Sequence, residues 1–163
     1  MKKIVVVLFA VIMVVGLMGC GSKEKKDQPS SKDVYVFQSG EVTIAMNEEA
    51  KPILEKLGKA DKTFESKSCA FEGLDKEYTY PGFILKTYPD GKKDFVASVT
   101  LFDDTVETKE GIAIGASKED VIKAYGKCED SDTVCEYAKE NVKLLFILTD
   151  GMVSSIQYVA LVD

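Results

Sequence analysis

Four thiols, at Cys20, Cys69, Cys128 and Cys135, are the strongest nucleophiles of a 163-residue chain that has no histidine and no tryptophan, and whose basic residues are all lysine. Those absences remove whole chemistries before any spacing is considered. Without imidazole there is no Ser-His or Cys-His pair and no histidine metal site. Without guanidinium there is no bidentate clamp for phosphate or carboxylate. The thiols form no CxxC redox motif. Cys128 and Cys135 flank a short acidic stretch between a predicted helix and a predicted strand, so the connecting turn can bring them to bonding distance. By the loop-entropy account such a closure stabilises by roughly 2–3 kcal/mol. Cys69 is then a free thiol, expected to be buried as a small hydrophobe. The rival pairing, Cys69 with Cys135, would instead join two halves of the domain.

The carboxylates suggest less. Glu129, Asp130 and Asp132 could offer oxygen ligands to a hard cation, yet they lack the Ca²⁺-loop pattern of glycine and distal glutamate, and aspartates equally favour turns. Asp103, Asp104 and Glu107 read as a solvated connector rather than a hydrolytic acid pair, which would need a cleft and one raised pKa. Gly111-Ile112-Ala113-Ile114-Gly115 lacks the GxxxxGK[ST] pattern of a phosphate loop. No catalytic residue, cofactor or metal is therefore expected. Tyr78 and Tyr80, two apart on a strand, with nearby Tyr88, are the candidate contact surface, since tyrosine is favoured at interfaces. The competing reading puts Tyr78 and Tyr80 in the core beneath the helices.

These residues must be positioned by something, and the chain begins with a segment unlike the rest. Lys2 and Lys3 precede an uncharged apolar run, Ile4 to Met18, too short for the ~20 residues of a membrane-crossing helix but right for a signal-peptide core. The run ends in Leu17-Met18-Gly19-Cys20, which resembles the lipobox of bacterial lipoproteins. That resemblance implies cleavage before Cys20, a diacylglyceryl group on its thiol, and residence on the extracytoplasmic face of the cell membrane. Two acyl chains hold a protein stably where one is marginal. Residues 1–19 are thus expected to be the signal peptide, and 20–33 the lipidated cysteine and a flexible tether. The tether, GSKEKKDQPSSKD after Cys20, has no apolar side chain to seed a core. Stretched, it spans at most roughly 45 Å. The mature part would carry 19 basic and 27 acidic residues, net −8. That balance argues against nucleic acid and against polybasic adhesion to anionic lipid.

The globular part, 34–163, reads as two similar units, about 41–105 and 111–163. Pro52-Ile53-Leu54-Glu55-Lys56-Leu57-Gly58-Lys59 and Asp120-Val121-Ile122-Lys123-Ala124-Tyr125-Gly126-Lys127 both place apolar residues at i, i+1 and i+4 and end in Gly-Lys. Each glycine suits a helix terminus with positive φ. Ser117 with Asp120 resembles a capping box, and Asn47 can cap the first helix. Asp90-Gly91 and Asp150-Gly151 between apolar runs signal hairpins. The pattern predicts an α+β fold: two tandem repeats, each one helix followed by about three antiparallel strands.

On these residues the chain resembles the β-lactamase-inhibitor-protein-like fold. The stretches CAFEGLDKEYTYPGF and GIAIGASKEDVIKAYGK resemble small lipoproteins of Gram-positive anaerobes, and the second is similar to the start of the small lipoprotein of the outer-membrane barrel-assembly machine. The resemblance implies a non-catalytic module that binds a protein or cell-wall component on a sheet face. An envelope assembly or structural role is the alternative, and an enzyme is less favoured.

Overall fold

The structure, a computed structural model, describes residues 34–128 and 131–162. The signal peptide, Leu17, Met18, Gly19 and Cys20, the tether, Glu129 and Asp130 lie outside the described residues. A hairpin opens the fold: β1 (Val36–Ser39) and β2 (Val42–Ala45) turn at Gly40 and form a separate two-stranded sheet. Helix α1 (Ala50–Leu57) follows, then β3 (Lys62–Lys67), β4 (Leu74–Tyr80), β5 (Phe83–Asp90) and β6 (Lys93–Leu101). After a connector come α2 (Lys118–Tyr125), β7 (Val134–Lys139), β8 (Val142–Thr149) and β9 (Met152–Ala160). The seven later strands form one antiparallel sheet in the order β3-β4-β5-β6-β9-β8-β7.

This corrects the expected α+β pair of helix-plus-meander repeats. Strand makes up 51% and helix 13%, so the fold is mostly β, with two short helices beside one continuous sheet. Four strands, not three, follow α1. The missed strand is β3, exposed at every position and so without the apolar alternation that reveals a strand. The two halves meet within that one sheet: Val99 pairs with Tyr158 and Leu101 with Ile156, so β6 and β9 run side by side at the sheet centre.

Alternation explains which face is covered. Along β5 and β8 every second residue is buried, Phe83, Leu85 and Thr87 on one and Val142, Leu144, Phe146 and Leu148 on the other. The core sits on that face, where Phe37 and Ile44 of the hairpin, Ala50 and Ile53 of α1 and Val121 of α2 meet the sheet. Each large apolar side chain so buried contributes about 1.5–3 kcal/mol. Pro52 is tolerated because it lies in the first turn of α1, where its missing N–H has no partner to lose.

The two helices start differently. Ser117 caps α2 in a reciprocal box, its hydroxyl accepting from the Asp120 N–H while the Asp120 carboxylate accepts from the Ser117 N–H. Asn47 does not cap α1; the N-cap is Glu49, which makes no side-chain cap bond. Asn47 has φ 64°, its N–H donates to the Val96 carbonyl, and its Oδ1 accepts from the Tyr88 hydroxyl at 3.1 Å. Its side chain is therefore committed to the sheet rather than to the helix. Both helices end at the expected glycines, Gly58 with φ 78° and Gly126 with φ 92°.

Candidate functional site

The face opposite the core carries the alternate residues, half-buried or exposed: Ile84, Lys86 and Tyr88 on β5, Lys143, Leu145 and Ile147 on β8, Gln157 and Val159 on β9. The buried residues of both helices and of the hairpin belong to the core on the other side. One corner of the open face is roofed by the loop joining β3 to β4. Ser68, buried, anchors that loop: its N–H donates to the Gly73 carbonyl at 3.0 Å and its hydroxyl accepts from the Phe71 N–H at 3.3 Å. Gly73 has φ 133°, and a Cβ there would stand 2.9 Å from the Pro89 ring, so only glycine lets the loop lie this close to β5.

Under the loop Phe71 stacks on Tyr88 with ring centroids 5.0 Å apart, and Tyr88 stacks on Phe95 at 5.8 Å. The pairing of β5 with β6 shifts at Lys86/Thr87, leaving Ala97 as an extra residue. Such a bulge bends the strand and re-aims its neighbours. Loop, bulge and aromatic ladder enclose a cleft of about 340 Å³, lined by Phe64, Ser66, Phe71, Asp75, Tyr88 and Ser98 among others. Phe64 is 65% exposed at its rim. Glu77 and Lys86, also lining it, pair at 2.9 Å. Lys76 turns to Asp94 at 2.7 Å, and that hydrogen bond raises its pKa. The Asp75 Oδ1 is buried and meets no hydrogen-bond donor.

The three candidate tyrosines do not form one surface. Tyr78 and Tyr80 do share a face, but it is the core face, as their pairing with Leu85 and Phe83 requires. Tyr80 is 5% exposed, stacks on Phe83 and donates to the Gly58 carbonyl at 3.2 Å. Tyr78 packs half-buried against the same core, beside α1 in a second cleft with Glu49 and Leu54. Tyr88 alone lies on the open face. Burial is the main cause of the raised pKa of all three phenols.

Cys128 and Cys135 are joined, with Cα atoms 5.2 Å apart, so the rival bond from Cys135 to Cys69 is not formed. Cys69 is free and exposed, not buried as expected, because it lies in the roofing loop rather than in an inward strand position. Asp132 is fully exposed and reaches only Lys118, at 3.7 Å. The Asp103 carboxylate accepts from the Thr105 N–H and hydroxyl and so closes a turn. Among the described residues no three Cys, Asp or Glu side chains converge as metal ligands. The Tyr125 hydroxyl donates to the Glu110 carboxylate; burial, then that bond, raises the phenol's pKa. Rings of Tyr35, Tyr137 and Phe146 pack round Tyr125, which makes this a filled aromatic junction rather than a cleft.

Sequence reasoning missed the cleft. Phe64, the one apolar residue in KTFESK, and Phe71, an aromatic in a Gly-containing loop, were its available signals, each an apolar ring with no periodic partner. Against family models, characterised proteins and solved structures the chain finds no match.

Proposed function

We propose that this protein is an extracytoplasmic lipoprotein, cleaved after Gly19 and held on the membrane by a lipid on Cys20, whose uncovered sheet face binds a protein or cell-wall partner without catalysis. The observation that carries the binding reading is the face itself: Leu145, Ile147, Val159 and Ile84 lie half-exposed, with an aromatic cleft at one corner. Apolar residues grouped on an open face mark contact sites more often than apolar residues scattered singly. The chain has no imidazole to activate the hydroxyls that line the cleft. Among the described residues no helix is long and apolar enough to cross a membrane, so the lipid on Cys20 carries the anchoring in this reading.

The binding test is cross-linking in native membranes combined with sedimentation on isolated cell wall. Leu145→Glu with Ile147→Glu charges the open face and leaves the core face untouched; it should abolish capture while the melting midpoint stays within a few degrees. Capture by that variant equal to wild type refutes the face. The anchor is read separately: Cys20→Ala should shift the protein from the detergent to the aqueous phase, and unchanged partitioning refutes the lipid.

A further inference from the structure

We infer that the corner cleft takes an alkylammonium group, such as a lysine-type side chain of the partner; the inference rests on the binding reading of the open face and gives it a chemistry. Of the ionic groups lining the cleft, Glu77 and Lys86 neutralise each other at 2.9 Å, and Lys76 is held by Asp94 at 2.7 Å. Asp75 remains. Among the described residues no ion pair reaches it, and its Oδ1 is sequestered from water without a donor. Asp75 lines the cleft, and a donor placed there would meet its unpaired carboxylate. The unmet demand is thus for a donor, and a cationic one satisfies both the hydrogen bond and the charge.

The walls narrow the class further. Phe64 and Phe71, both lining the cleft, give aromatic surface, which attracts cations and packs against methylenes. An anion would meet the uncompensated Asp75. A divalent metal would need several convergent oxygens, and no such group of Asp and Glu occurs among the described residues. A guanidinium is best met by both oxygens of a carboxylate in one plane, whereas Asp75 has its Oδ1 buried. An ammonium on a flexible stem fits: three donors in a compact head, and an apolar chain for the rings. A neutral sugar, whose hydroxyls could also donate, is the competitor the test must separate.

Cys69 supplies the readout, because it is a free, exposed thiol in the loop that roofs the cleft. An environment-sensitive maleimide dye on Cys69 of the purified full chain is titrated with Nα-acetyl-lysine methylamide, its norleucine counterpart and N-acetylglucosamine. The lysine probe should saturate, and the norleucine and sugar probes should bind at least about tenfold more weakly. Asp75→Asn, which keeps the side-chain shape, should weaken lysine binding about tenfold or more. Phe71→Leu should weaken it about two- to fivefold. Isothermal titration of the unlabelled protein guards against a dye effect. Equal binding of lysine and norleucine, tighter binding of the sugar, no saturation, or full binding by Asp75→Asn overturns the inference. Failure here with partner capture still lost in the Leu145/Ile147 variant would leave the open-face reading standing. Lysine binding that depends on Asp75, with capture unaffected by that variant, would do the reverse.

Discussion

The two ends of the sheet each carry a cysteine, Cys135 within edge strand β7 and Cys69 just after edge strand β3, and they are finished differently. At the β7 end Cys135 is fully buried and bonded to Cys128, so the stretch from α2 to β7 is tied at both ends. Beside it the rings of Tyr125, Tyr137 and Phe146 fill the space between helix and sheet. At the β3 end Cys69 is unbonded and exposed, its loop is held by the two hydrogen bonds at Ser68, and a cleft with an unpartnered carboxylate oxygen lies beneath. One end is closed by covalent and aromatic packing, and the other keeps buried polar capacity unspent. A covalent tie holds one end, and hydrogen bonds alone hold the loop at the other.

The sharpest way to break this contrast is to remove the thiols at each end. Cys128→Ala together with Cys135→Ala should cost about 2.5 kcal/mol, the loop-entropy value for so short a closure. Cys69→Ala, at an exposed position, should change stability by less than about 0.5 kcal/mol. Urea unfolding of the three proteins, with free-thiol counts before and after reduction, measures both. Equal losses at the two ends would remove the distinction.

A smaller effect probes what the ends share. Tyr80 and Tyr137 donate to the carbonyls of Gly58 and Gly126, at 3.2 and 2.8 Å, and each thereby ties a helix terminus to the sheet. Replacing either by Phe keeps the ring and deletes the bond, at about 1 kcal/mol. The shorter bond should make Tyr137→Phe the more costly of the two by urea midpoint. The reverse order would place the better-secured helix at the β3 end.

This pairing of tyrosine with glycine was half visible in the sequence. The Gly-Lys endings of both helices, the Asp-Gly hairpins and the Ser117 box are local rules, fixed by φ and by donors within a few residues, and the structure places each where expected. What could not be read depends on distant partners. β3 is a strand only because it pairs with β4, since its own residues are exposed and all but Phe64 are polar. Tyr78 and Tyr80 share a face by period two, but which face is buried is set by Phe37 and Ile44 of a hairpin some forty residues away. The cleft joins a loop, a strand rim and a bulge, and the bulge at Ala97 leaves no local mark in VASV. Tandem similarity in the helices was legible, but the sheet that merges both halves depends on β6 meeting β9, a pairing between residues more than fifty apart.

The smallest effect concerns the starts of the two helices. Hydrogen bonds from the Ser117 hydroxyl and N–H hold the Asp120 carboxyl below the usual carboxylate range. A carboxyl whose folded-state pKa is depressed contributes stability that is fully present above its unfolded pKa, near 3.8, and is lost as pH falls through the folded value. Asp120→Asn should therefore lower stability at neutral pH, and the gap to wild type should close as the pH drops below about 4. The N-cap of α1, Glu49, makes no cap bond, so the acid sensitivity of this box belongs to the disulfide-tied end. Urea midpoints of both proteins between neutral pH and the acid limb decide it. A gap that stays constant through the acid limb would mean that the carboxylate charge contributes nothing, and that the two helix starts differ in geometry alone.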